Sequence, residues 1–141
     1  YVYETGHLPQ HDHVVLETAG GLRITYNDPR RFGYMLLEAE ADLEAHALFR
    51  ALGVEPLGNE LDAALLAKRA AGRKADLKAF LMDQRNIAGL GNIYVCEALF
   101  RAGSSPRRRA GTLAGRGGRP TDRAARLVQA MRQVLTEAVE A

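Results

Sequence analysis

Three stretches of this sequence carry side chains and backbone able to do chemistry. Gly89-Leu90-Gly91-Asn92 sets two glycines before a helix-capping residue type. A helix that starts there offers unsatisfied amides and the positive end of its dipole, an arrangement that holds a phosphate. It is not a dinucleotide fingerprint, because the third glycine is missing and no strand precedes it. An ordinary capped turn between two helices is the equal alternative. Lys78, on the preceding helix, is either a partner for the same anion or a solvated lysine.

The second stretch is Asn27-Asp28-Pro29-Arg30-Arg31-Phe32-Gly33. Asp-Pro fixes a turn that lifts two arginines and an aromatic ring onto a loop. Arginines suit phosphates or base edges, and an exposed ring can act as an apolar wedge between base steps. Alternatively Phe32 folds into the core. The third stretch, His11-Asp12-His13, has two imidazoles that an extended strand would place on one face. No third or fourth ligand follows at useful spacing, so phosphate contact or packing is expected rather than a metal. Cys96 is expected to be a small core residue on an apolar helix face.

The elements that must position these groups change character along the chain. Val14 and Leu16, then Leu22, Ile24 and Tyr26, alternate with polar residues, and Gly20-Gly21 between them predicts a two-residue hairpin turn. Tyr34 to Leu37 is expected to continue the sheet. From Leu43 the period becomes helical. The pattern predicts a helix over 43–52 stopped by Gly53, and a second capped by Asn59 and ended by Gly72. A third surrounds Leu77, Phe80 and Leu81. A fourth is capped by Asn92, with Ile93, Cys96, Leu99 and Phe100 inward, and is stopped by Gly103. Residues 103–120 lack an apolar period and are expected to form a mobile basic loop. Thr121 caps a last helix on which Leu127, Met131 and Leu135 recur. Strands followed by helices indicate an α+β chain, or a β domain joined to a helical one.

Charge is divided in the same way. Residues 1–62 hold four basic and eleven acidic side chains, a balance of −7, whereas residues 68–132 hold fifteen basic and four acidic, a balance of +11. A surplus of that size is expected to meet a polyanion, nucleic acid being the commonest. No run is apolar enough to cross a membrane. Tyr1-Val2-Tyr3-Glu4 lacks the basic start of a signal peptide. The lack of an initial Met and of a helix stop at Val139-Glu140-Ala141 leads to the expectation that both ends are cut. A single cysteine excludes an internal disulfide and a Cys-only zinc site, and makes a reducing cytoplasm the default.

Taken in order, HDH, NDPRRFG, LKAFLMDQ and GLGNIYVCEALFRAG resemble the formamidopyrimidine-DNA glycosylase family over nearly the whole chain. The related endonuclease-eight-like branch shares the GLGN turn but usually lacks HDH and DPRRFG. The resemblance implies that residues 1–40 are the end of an N-terminal β-sandwich domain. Residues 41–141 would then be a mostly helical domain with a helix–two-turn–helix motif. It implies a bacterial, cytoplasmic, nucleoid-associated and monomeric base-excision enzyme that flips oxidised purines, 8-oxoguanine and formamidopyrimidines, out of double-stranded DNA. An N-terminal proline amine attacks the sugar, and the strand is cut by β- and δ-elimination.

Residue by residue, the resemblance places His11, Arg30 and Arg73 where the family contacts DNA. It sets Arg30 and Phe32 where the gap of the flipped base is filled, and Lys78 and Asn92 where phosphates beside the lesion are held. The family's PELPEVE start, with its nucleophile and glutamate, is not among these residues, and neither is its four-cysteine zinc finger. The 141 residues alone are therefore expected to be inactive and to hold no cofactor, with zinc expected in the missing finger. A non-catalytic basic nucleic-acid-binding module is the alternative from another class. It would account for the charge but leave NDPRRFG and GLGN as coincidences. A structural bundle with a basic surface explains less still.

Overall fold

The computed structural model describes residues 10–140, so the reading of Tyr1 to Glu4 lies outside the described residues. The chain divides into two compact units, Tyr1–Asp42 and Leu43–Ala141.

In the first unit, the alternating stretches form β1 (Asp12–Glu17) and β2 (Arg23–Asn27), paired antiparallel from Glu17 opposite Arg23 to Asp12 opposite Asn27. The register shifts between Asp12 and Val14, a bulge that sets His13 aside from the regular ladder. The turn is one residue longer than Gly20-Gly21 suggested. Gly21 N–H donates to the Thr18 carbonyl at 3.0 Å and Thr18 N–H to the Leu22 carbonyl at 2.9 Å, closing a loop of Ala19, Gly20 and Gly21. Gly21 takes φ +83°, the left-handed position that such a three-residue hairpin needs. Residues 34–37 form no strand. An extended run needs a neighbour for its amides and carbonyls, and the described residues supply none. Tyr34, Met35, Leu36 and Leu37 are all exposed.

The second unit is built on α1 (Ala63–Ala70), α2 (Leu77–Met82), α3 (Asn92–Arg101) and α4 (Asp122–Glu140). The helix expected over 43–52 is instead a series of turns, with His46 N–H on the Leu43 carbonyl and Arg50 N–H on that of His46. Leu43, Leu48, Phe49 and Leu52 stay substantially exposed. Without an apolar face buried against a partner, so short a helix is marginal in water. The cap of α1 is Asp62, not Asn59: its carboxylate accepts the Leu65 amide at 2.7 Å. Leu61 is buried just ahead of the helix, so the apolar pattern began one turn before the helix itself.

On α3 the buried face is Val95, Ala98 and Leu99, continued by Ala102, while Ile93, Cys96 and Phe100 are exposed. Of the expected inward set only Leu99 is buried; Ile93, Cys96 and Phe100 lie on the outer face. The small Ala98 and Ala102 instead suit close approach of α4, which packs against this helix. The last helix behaves as its period indicates: Thr121 Oγ1 accepts the Ala124 amide at 3.4 Å, and Leu127 and Met131 are fully buried.

Residues 103–120 are an ordered segment rather than a mobile loop. Ala110 and Leu113 are fully buried, and 3₁₀ turns occupy Ala110–Leu113 and Arg116–Gly118. The segment lacks an apolar period because backbone pairing to residues 73–78, not a buried helical face, holds it in place. Gly111 comes so near this partner that a Cβ there would lie 2.9 Å from the Arg73 carbonyl oxygen. The two caps can be told apart by mutation. Asp62→Ala should cost about 1 kcal/mol in a urea melt, whereas Asn59→Ala should be close to neutral. Equal losses at the two positions would contradict the observed cap.

Candidate nucleic-acid interface

Two consecutive turns join α2 to α3. The first begins at Asp83, whose carbonyl accepts the amides of Asn86 at 2.8 Å and Ile87 at 3.3 Å. The second passes through Gly89 at φ +82° into Gly91, the residue that precedes α3. Leu90 is buried between the two glycines and anchors this turn in the core.

Asn92 does not cap α3. Gly91 occupies the cap position with no side chain to offer, and Asn92 is the first helical residue. Among the described residues the amides of Asn92, Ile93 and Tyr94 find no acceptor, and Val95 N–H is the first to be satisfied, by the Gly91 carbonyl. The helix start is therefore open to an anion in the way the Gly-x-Gly-Asn spacing allows. Asn92 is exposed and holds its side-chain oxygen toward Cys96 Sγ at 3.8 Å.

Gln84 keeps this turn in shape. Its Oε1 accepts the Gly89 amide at 2.7 Å, and its Nε2 donates to the carbonyls of Leu90 at 2.9 Å and Met82 at 3.1 Å. One side-chain amide thus satisfies backbone groups on both sides of the turn. Arg69 reaches from α1 to the carbonyl of Asn86, while Asn86 Nδ2 donates to the Phe80 carbonyl at 2.8 Å. Gln84 closes the LKAFLMDQ motif, but no sequence signal gave its role or marked Arg69 or Asn86, because side chain-to-backbone bonds of this kind leave no periodicity.

Arg69, Arg73, Asp83, Arg85 and Asn86 line a cavity of about 390 Å³. Arg85 grips Asp83 through Nε at 2.9 Å and Nη2 at 2.8 Å, and this fork holds the Asp83 carboxyl below its usual range. Arg73 is exposed, and Lys78 is partly buried in the first turn of α2. Arg73, Lys78 and Asn92 therefore all lie on the helix–two-turn–helix unit or at its edge.

In the first unit the Asp-Pro turn is organised around one carboxylate. Asp28 Oδ2 accepts the Gly33 amide at 2.8 Å and the Tyr26 hydroxyl at 3.2 Å. The Gly33 amide, foremost, holds the Asp28 carboxyl below the usual aspartate range; partial burial and this carboxylate push the Tyr26 hydroxyl up. Gly33 allows this closeness, since a Cβ there would collide with the Tyr26 hydroxyl. The loop pushes Arg31 to φ +53°, a sparsely populated region for a side-chain-bearing residue.

Phe32 is not in the core. It is 77% exposed, and the Arg30 guanidinium carbon lies 4.8 Å from its ring centroid in a cation–π contact. His11 precedes β1 and is exposed; its carbonyl accepts the Asp28 amide at 3.0 Å. His13 is a loop brace, its Nε2 3.0 Å from the Asp28 carbonyl oxygen. The two imidazoles do not form a common strand face. No group of three or more His, Cys, Asp or Glu that could hold a metal occurs among the described residues.

Two helices joined by two consecutive turns, with an open helix start in a basic half, define a helix–two-turn–helix protein. The chain belongs to the formamidopyrimidine-DNA glycosylase H2TH domain family, whose pattern it matches over residues 52–141. It is 64% identical over 131 residues to the formamidopyrimidine-DNA glycosylase of Beijerinckia indica, covering 93% of this chain and 46% of that protein. With the Chelativorans sp. protein of the same name it shares 60% identity, covering 99% of this chain and 48% of the relative. Among solved structures it resembles MutM (Fpg) from Thermus thermophilus, at 38% identity and a TM-score of 0.78, over 95% of this chain and 48% of the other. It also resembles Lactococcus lactis Fpg in complex with DNA containing an abasic site, at 25% identity and a TM-score of 0.81, over 99% and 49% of the two chains. The chain thus spans about half the length of the relatives it matches.

Two outcomes test this geometry. Gln84→Met, which cannot donate or accept at the turn, should cost about 1 kcal/mol of stability and speed hydrogen exchange at the Gly89 amide. Unchanged exchange would show that the turn holds without Gln84. The lowered Asp28 pKa means its stabilisation is present above the unfolded aspartate range and is lost as pH falls through the lowered value. The Gly33 amide resonance should titrate with a midpoint below that range, and Asp28→Asn should abolish the titration.

Proposed function

We propose that this chain is the DNA-gripping part of a bifunctional DNA glycosylase/AP lyase that removes oxidised purines from duplex DNA. The observation that carries the reading is the open start of α3, with three free amides behind a braced turn, in the half of the chain that carries the basic surplus. Such a site takes a phosphate without a cationic side chain of its own. Asn92 and Lys78 hold phosphates beside the lesion, and His11, Arg30 and Arg73 contact the DNA. Phe32, exposed and stiffened by Arg30, enters the gap left when the base is extruded, and Arg30 offers planar donors to the stranded partner base. Relatives solved with abasic-site and Fapy-dG DNA support this choice of ligand.

Residues 1–40 serve as the end of the N-terminal β-sandwich domain and residues 41–141 as the helical DNA-binding domain. The family's proline nucleophile and its glutamate match no residues here, so this chain positions substrate while the attacking amine comes from the rest of the protein. Zinc does not fit the described residues, which offer a lone exposed Cys96 and no cluster of three or more His, Cys, Asp or Glu; the family's zinc finger would lie outside these residues. We place the full protein, a monomer, in the bacterial cytoplasm on nucleoid DNA. No described helix is long and apolar enough to cross a membrane.

Borohydride trapping on 8-oxoguanine duplex separates the roles. The 141-residue chain should give no covalent adduct and the full-length protein should give one; an adduct with the chain alone would overturn the assignment. In the full-length protein, Phe32→Ala should slow single-turnover excision opposite every partner base. Its effect on stability should stay within about 0.5 kcal/mol, as for other exposed positions. Arg30→Ala should mainly blur discrimination between C and A opposite the lesion. Undiminished excision by Phe32→Ala would remove the wedge.

A further inference from the structure

Arg107, Arg108 and Arg109 lie in the ordered segment after α3, and that segment is stitched to the approach to α2. Leu77 N–H donates to the Arg108 carbonyl at 2.7 Å and Lys78 N–H to the Pro106 carbonyl at 3.1 Å. Ala110 N–H donates to the Ala75 carbonyl at 2.9 Å, and Gly111 N–H to that of Arg73 at 3.0 Å. Asp76 and Arg109 form an antiparallel bridge within this pairing. Residues 106–111 therefore run beside residues 73–78, with the buried Ala110 pinning the pairing to the core.

The result is one strip with Arg73, Lys74 and Lys78 on one run and Arg107, Arg108 and Arg109 on the other. The three added arginines are exposed, and none takes part in an ion pair among the described residues. Asp76 is the one acid in either run. The backbone bonds between the two runs therefore gather six cations onto one stitched segment that carries a single acid.

We propose that Arg107, Arg108 and Arg109 form a second phosphate-tracking surface, which takes the sugar–phosphate backbone of the duplex beyond the phosphates held at the start of α3. The inference rests on the DNA-gripping function proposed above and extends it to residues outside the helix–two-turn–helix motif. Guanidinium forks match phosphate oxygens in pairs. Four backbone bonds hold the strip before the ligand arrives, so little chain entropy remains to be lost on binding. An anionic membrane is the weaker partner, because the strip exposes no large apolar side chain to a lipid interface, its one such residue, Leu77, being buried in the core.

The test uses the full-length protein and fluorescence anisotropy on two duplexes of equal length, one undamaged and one carrying an abasic-site analogue, across a range of KCl. Replacing all three arginines by glutamine should flatten the plot of log affinity against log salt by about two to three units. The change should be similar on both duplexes, because phosphate contacts carry no lesion information. The corresponding triple lysine variant should retain the slope, and thermal melts of both variants should match the parent.

If the glutamine variant keeps the parental slope while Lys78→Ala lowers it, the strip is a solvated surface and only this proposal falls. If Lys78→Ala is also without effect, the DNA-gripping reading falls with it. A lysine variant as impaired as the glutamine one would overturn the proposal, since charge would not then be the cause. So would binding to phosphatidylserine vesicles that depends on the arginines while DNA binding does not.

Discussion

A helix can offer its first amides to an anion only if nothing in its own chain satisfies them. At Gly89–Asn92 that condition is met because the work of holding the turn has been moved elsewhere. Gln84 satisfies backbone groups on both sides of the turn, and Leu90 anchors it in the core. The cap position falls to Gly91, which has no side chain to spend on the helix. An asparagine or serine there would stabilise an isolated helix better, but it would compete for the donors that the site presents. The clamp from Arg69 on the first of the two turns and the packing of α3 on α4 hold in place a helix whose start must stay unsatisfied.

How far the sequence discloses this depends on whether a feature is local. The hairpin, the Asp-Pro turn and the buried row of α4 are written in neighbouring residues, and the structure contains them at those places. The two glycines before Asn92 marked the open helix start, although the cap lies one residue earlier. Features that depend on distant partners were not legible. The apolar residues of 43–52 look helical and those of 34–37 look extended, yet among the described residues no surface buries the first and no strand pairs with the second. The arginine-rich stretch 106–111 shows no period, because it is held by backbone bonds to the distant residues 73–78.

The candidate site follows the same division. Phe32 could have been a core residue or an exposed plate, and composition alone did not decide. The decision comes from Asp28, whose carboxylate gathers the Gly33 amide and the Tyr26 hydroxyl and so turns the intervening residues outward. On α3, bulk points to Ile93 and Phe100 as core, whereas both are exposed and the smaller Ala98 and Ala102 are buried. Bulk was a poor guide where two helices approach closely.

The exposure of Cys96 has a practical side. It is the only thiol in the sequence, it stands one helical turn past the first residue of α3, and its sulfur lies 3.8 Å from the Asn92 side-chain oxygen. A maleimide dye or nitroxide would attach there and nowhere else in this chain, without first removing other cysteines. The reporter would sit at the threshold of the open helix start, where an arriving phosphate would change its surroundings. These 141 residues thus come with a ready handle for watching that site fill in real time.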